Sequence, residues 1–134
     1  MLVIEDNDIN RIFFEQILSE AGLTRRIVAD AASAETAWRE KRPALTLMDL
    51  TLPDATGQAL LSRLRDLDAA IYGDAPPPII GVASRGDDAC LQACLADGMI
   101  DSIAKPMTPD RVIEKIRQHA PALLAFSERD AASG

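Results

Sequence analysis

Residues 45–57 read LTLMDLTLPDATG, an almost uninterrupted apolar segment that meets Asp49 and turns at once into a loop carrying Pro53 and Gly57. A strand with one wet face would alternate polar and apolar side chains. A continuous apolar run is that of a strand covered on both faces, as in a parallel sheet between helices. A carboxylate at the end of such a strand can cap a turn, bind a metal with other acids, or act as a nucleophile. The rest of the chain has to choose.

Four other apolar runs of strand length flank this one, at Leu2–Ile4, Ile27–Ala29, Ile79–Ala83 and Ile100–Ala104, and each meets a polar or turn-forming group. Between them the period becomes helical. Ile9, Ile12, Phe13, Ile17 and Leu18 follow the spacing of an amphipathic helix ended by Gly22; Leu60, Leu61 and Leu64 repeat it, as do Val112, Ile113 and Ile116. The result is five βα units and a three-layer α/β sandwich around a parallel sheet. GDAPPP at residues 73–78 cannot continue a helix and marks a loop before the fourth strand. Beyond Ala120 the period is lost, and SERDAASG at residues 127–134 is small and polar. The expected organisation is one domain over residues 1–120 and a tail or linker over 121–134.

Composition narrows the function. A chain of 134 residues makes one domain with a real core. With 14 Lys and Arg against 21 Asp and Glu, the net charge is -7, and no basic run interrupts it, so nucleic acid is not the expected partner. No apolar stretch approaches the roughly 20 residues of a membrane span. The start MLVIEDND turns acidic too soon for a signal peptide, so the expected location is cytoplasmic, without membrane contact by this domain. Cys90 and Cys94 lie four apart in a helical segment, on one face, and read as buried thiols rather than a disulfide. His119 is the only histidine, too few for a Cys/His zinc site. Arg85-Gly86-Asp87 matches an adhesion motif by chance, since a cytosolic chain offers it no receptor.

In an open parallel sheet, sites form where the carboxyl ends of strands meet at the topological switch point. The first strand ends in Glu5 and Asp6, the third in Asp49, the fourth in Ala83 and Ser84, the fifth in Lys105 and Pro106. Each has a plain explanation by itself: Asp6, Asn7 or Asp8 as a helix cap, Asp49 as a loop cap, Lys105 as a solvated charge. Their joint occurrence, in this order, is harder to explain structurally. Carboxylates gathered this closely repel one another unless a cation joins them. Mg²⁺ answers best, because it accepts a few carboxylates, keeps several waters and recruits phosphate oxygens.

VIEDNDINR, LMDLTLPDATG, PIIGVAS and CLADGMIDSIAKP together resemble the receiver domain of two-component response regulators, over roughly residues 1–120. The EDN-x-x-NR form is most similar to receivers of hybrid sensor histidine kinases, which leaves two parents open, a stand-alone receiver protein and a hybrid kinase. The resemblance implies a flavodoxin-like (βα)5 fold with strand order 2-1-3-4-5. It makes Asp49 the phosphoacceptor, taking a phosphoryl group from a phosphohistidine on a histidine kinase or histidine phosphotransfer domain. Asp6 would ligate Mg²⁺ directly and Glu5 through water, with Asp49 and the backbone carbonyl of Thr51 completing the protein ligands. Lys105 would pair with the phosphoryl oxygens, and Pro106 would follow it through a cis peptide. The family also leaves room for a homodimer through the face of the fourth helix, fifth strand and fifth helix. Enzymatic activity is expected only as self-phosphorylation and autodephosphorylation.

Two positions depart from the family pattern. The fourth strand of a receiver usually ends in Thr or Ser followed by a small residue; here the order is Ala83 then Ser84. An aromatic residue usually stands three before the lysine; here it is Ser102. Both belong to the family's coupled switch, so an atypical output is expected, and whether Ser84 replaces the missing hydroxyl depends on a bulge or a turn there. Two other readings compete. A receiver-like interaction module free of phosphate control would suit Ala83 and Ser102 but not the four retained charges. A haloacid-dehalogenase-like phosphohydrolase would need a second Asp two residues after the nucleophile, and that position is Thr51.

Overall fold

In the computed structural model, which describes residues 1–73 and 75–124, five parallel strands form one sheet in the order β2-β1-β3-β4-β5. They are β1 (Leu2–Ile4), β2 (Arg26–Val28), β3 (Thr46–Asp49), β4 (Ile79–Ala83) and β5 (Asp101–Ala104). Between and after them run α1 (Asp8–Glu20), α2 (Ala31–Glu40), α3 (Gly57–Ile71), α4 (Asp88–Ala96) and α5 (Pro109–His119). The expected flavodoxin-like architecture is the observed one. β2 begins one residue earlier than its apolar run, and β5 one residue later, because Ile100 is 44% exposed in the turn that follows Gly98.

Successive strand residues point to opposite faces and feed two cores. Leu2, Ile4, Met48 and Ile79 pack with Ala34 and Trp38 of α2, Leu60, Leu61 and Leu64 of α3, and Cys94 of α4. Val3, Leu47, Ile80, Val82 and Ile103 pack on the other side with Phe14, Ile17 and Leu18 of α1 and Val112 and Ile116 of α5. The helical stripe read from the sequence is thus corrected at one end: Ile9 and Ile12 face outward, at 75% and 67% exposure, and Phe14 takes the inward place. Gly57 opens α3 within contact of the preceding strand end. A Cβ there would stand 2.9 Å from the Leu50 Cα, while its N–H donates to the Leu50 carbonyl at 2.8 Å.

Four helices are capped by a side chain at the N-cap: Asn7 for α1, Asp30 for α2, Thr56 for α3 and Thr108, ahead of Pro109, for α5. Asn7 therefore does the capping for which Asp6 and Asp8 were also candidates, and Asp6 is left for other work. Beyond α5, Leu124 is buried in the α1/α5 core and Leu123 packs beside it. Residues 127–134, read as a tail, lie outside the described residues. The thiols of Cys90 and Cys94 stand 4.0 Å apart, unbonded, as expected of neighbours on one helix face. Burial, with the neighbouring Cys90 thiol, pushes the Cys94 thiol up to about 12, which leaves it unreactive.

Candidate functional site

The carboxyl ends of β1, β3 and β5 bring Glu5, Asp6, Asp49 and Lys105 to one edge of the sheet. Oxygens of the three acids lie within 4.8 Å of one another. Lys105 Nζ donates to Glu5 Oε1 at 3.1 Å and Oε2 at 3.4 Å, and to Asp49 Oδ2 at 3.2 Å. Glu5 is fully buried and Asp49 is 2% exposed, whereas Asp6 is open to solvent. Asp49, on β3 between β1 and β4, sits at the floor of a depression of about 600 Å³ lined by Asp6, Asn7, Asp8, Asn10, Thr51, Ser84 and Lys105. The peptide between Lys105 and Pro106 is cis.

Charge is crowded here. Burial raises the Asp49 carboxyl to about 6, its contact with Glu5 adding to the effect, while the Thr51 N–H at 3.1 Å and Lys105 oppose it. Asp6 is also raised, by desolvation first and then by Asp49. For Lys105 burial works against the charge, but its bonds to Glu5 and the charge of Asp49 outweigh it and hold the ammonium above its ordinary pKa. Two buried carboxylates sharing one ammonium, with a third acid at the rim, form an oxygen-rich set short of positive charge. A hard divalent cation with some retained waters fits it.

Several participants escape sequence reasoning. Asn10, in the first turn of α1, donates from Nδ2 to Glu5 Oε1 at 2.5 Å, and Arg11 donates to the Glu5 carbonyl at 3.0 Å. Their placement in the first turn after an acidic strand end was the available signal. Asp54, five residues past Asp49, accepts from the N–H groups of Ala31 and Ala32 and ties the loop after β3 to the start of α2. Nothing local marks it for that task.

The model of the response regulator receiver domain matches residues 1–117. The chain belongs to the response regulator receiver family. It is 29% identical over 121 residues to the chemotaxis protein CheY of Bacillus subtilis, covering 88% of this chain and 94% of that protein. It is 26% identical over 127 residues to hybrid signal transduction histidine kinase B of Dictyostelium discoideum, but there 89% of the chain spans only 6% of the relative. Among solved structures it resembles the receiver domain of sensor histidine kinase PA1611 from Pseudomonas aeruginosa PAO1, which holds a magnesium ion in its active-site cleft. The TM-score is 0.74 at 26% identity, over 88% of this chain and 93% of that one. Among the described residues of this receiver domain no helix is long and apolar enough to cross a membrane.

At the two departures from the family pattern, Ala83 is the last residue of β4, paired with Ala104, and Ser102 lies half-buried in β5 opposite Gly81. Ser84 is past the strand. A turn begins there, the Asp87 N–H donating to the Ser84 carbonyl at 3.1 Å, and Ser84 borders the Asp49 depression. Thr51 follows Asp49 at the same rim, its hydroxyl donating to Asp87 Oδ1 at 3.1 Å.

Proposed function

We propose that this receiver domain accepts a phosphoryl group on Asp49 from a phosphohistidine of a histidine kinase or histidine phosphotransfer domain, with Mg²⁺ as cofactor. The observation that carries the reading is Lys105 Nζ, which touches both Glu5 and Asp49 across 100 and 56 residues of sequence. A structural ion pair needs one acid. Two buried acids on one ammonium leave a carboxylate that is short of counter-charge, and Asp49 lines a depression open to a partner.

The chemistry follows from these groups. An Asp49 oxygen attacks phosphorus in line; the O–P bond forms as the P–N bond to the imidazole breaks, and the departing nitrogen takes a proton from solvent. Lys105 turns from the carboxylates to the phosphoryl oxygens, while Asn10 keeps its bond to Glu5 and holds that side chain in place. Glu5, Asp6, Asp49 and the Thr51 carbonyl would hold the Mg²⁺, which when bound neutralises the oxygens of the transferring group. Ser84 supplies the hydroxyl that Ala83 lacks, a role supported by the turn that brings it to the depression. Its different anchorage, and Ser102 in place of an aromatic group, make the output switch atypical.

The partner's histidine-bearing helix would dock on α1, where Ile9 and Ile12 are exposed and where Ile9, with Phe13, Pro106 and Met107, borders a second depression reaching Lys105. Self-association in this reading uses the face of α4, β5 and α5, supported by the exposure of Leu95 and Ile100. The parent is a two-component or phosphorelay protein, hybrid kinase or otherwise, with residues 1–120 as its receiver unit. The interaction-module reading has no use for the buried Glu5–Lys105–Asp49 contacts.

The test is intact mass after incubation with a small phosphodonor. One phosphoryl group is gained with Mg²⁺ and not with chelator, and hydroxylamine removes it. An adduct that resists hydroxylamine or persists in Asp49→Asn overturns the assignment.

A further inference from the structure

Asp87 stands at the N-cap of α4, where an aspartate ordinarily accepts a hydrogen bond from the second or third helical N–H. Its side chain makes no such bond. It faces the strand ends instead. Oδ2 accepts from the Ser84 N–H at 2.7 Å, and Oδ1 accepts from the Thr51 hydroxyl at 3.1 Å. The Asp87 N–H returns a bond to the Ser84 carbonyl at 3.1 Å, closing a turn in which Gly86 takes a φ of +98° that a side chain would resist. Both residues that Asp87 holds border the depression over Asp49.

We propose that Asp87 is a positioning residue with two alternative sets of donors. In the unphosphorylated domain it holds Thr51 and Ser84 in place around Asp49. Once a phosphoryl group stands on Asp49 and draws those donors, it turns back to cap α4. This rests on the reading of Asp49 as the phosphoacceptor.

The physical case is an exchange of hydrogen bonds at nearly constant count. The phosphoryl group brings a charge of about −1.5 to −2 and three strong acceptors to the depression that Thr51 and Ser84 border. It repels the Asp87 carboxylate and competes for its donors. The alternative partners are near: the N–H groups of Ala89 and Cys90, the second and third residues of α4, have no intrahelical acceptor. Capping them orders the first turn of α4, so the exchange turns chemistry at Asp49 into a change in that helix. It needs neither a hydroxyl at position 83 nor an aromatic ring at position 102.

Amide hydrogen exchange by NMR on the whole chain tests this, with Mg²⁺ and beryllofluoride as the probe that stands in for a phosphoryl group. Loss of an N-cap bond corresponds to about a fivefold change in local opening, so the Ala89 and Cys90 amides should become about fivefold more protected when the probe binds. Asp87→Ala should remove that gain while the probe still shifts the amides of Asp49 and Lys105. Asp87→Asn, which keeps an oxygen acceptor, should retain part of it. A wild-type chain that binds the probe with no added protection at Ala89 and Cys90 overturns the exchange and leaves the phosphoacceptor reading standing. So does a full gain in Asp87→Ala. Failure of the wild type to bind the probe at Asp49 removes both.

Discussion

Asp49 is a residue kept in place against its own electrostatics. Its carboxyl titrates at about 6, above the ordinary 3.8, because burial and Glu5 disfavour the charge more than Lys105 favours it. The folded chain therefore binds the Asp49 proton more tightly than the unfolded chain does. Stability falls as pH rises from about 4 through 6, and the loss is complete above that range. The shift corresponds to roughly 2–3 kcal/mol at about 1.4 kcal/mol per pKa unit. In chelator at pH 7.5, Asp49→Asn should stabilise the domain, by less than that figure since the bond to Lys105 also changes. Urea denaturation is the measurement, and the gain should vanish at pH 4. An equal gain at both pH values would show that the cost is not one of charge.

Three helices carry their own consequences. α1 has an inward stripe of Phe14, Ile17 and Leu18 and an outward pair, Ile9 and Ile12. Ile9→Asp and Ile12→Asp should leave stability within about 0.5 kcal/mol, as surface changes do. They should slow phosphoryl transfer from a histidine-bearing partner while leaving labelling by a small phosphodonor unchanged. Equal rates with the partner would move the docking surface elsewhere. α2 and α3 are joined through Asp68, fully buried, which accepts from Trp38 Nε1 at 3.0 Å and from Arg42 Nε and Nη2, both at 2.8 Å. The Arg42 guanidinium also lies 5.0 Å from the Tyr72 ring centre. Arg42, opposed by burial and helped by Trp38, holds the Asp68 carboxyl below its ordinary pKa, so this contribution is full above about pH 4 and fades as pH falls. Asp68→Ala leaves the Trp38 N–H and the guanidinium without that acceptor and should cost about 3 kcal/mol at pH 7, read by denaturant midpoint. Trp38→Phe removes one donor and should cost less.

At the scale of the molecule, the sheet divides the apolar residues into two cores, and the second is closed by a residue beyond α5. Leu124 is 5% exposed against α1 and α5. Leu124→Ala should cost about 2–3 kcal/mol, the ordinary price of a buried leucine, without affecting phosphorylation of Asp49. A cost under about 0.5 kcal/mol would put the end of the cooperative unit at Ala120, where the helical period is lost.

The five βα units, the carboxylates at the ends of β1 and β3 and the lysine after β5 were legible because each is a local pattern. An apolar run of strand length and a charge at its end are neighbours in sequence as well as in space. Which residues of the first half of α1 turn inward was not, since Ile9 and Ile12 fit a helical period with Ile17 and Leu18 as well as Phe14 does, and only packing on the sheet chooses between them. The reach of Ser84 into the depression depended on where β4 stops, a matter of one residue that periodicity does not resolve. In the sequence Asp87 stands out only within the tripeptide Arg85-Gly86-Asp87. Its partner Thr51 is 36 residues away, and a hydrogen bond over that separation exists only once β3 and β4 lie side by side.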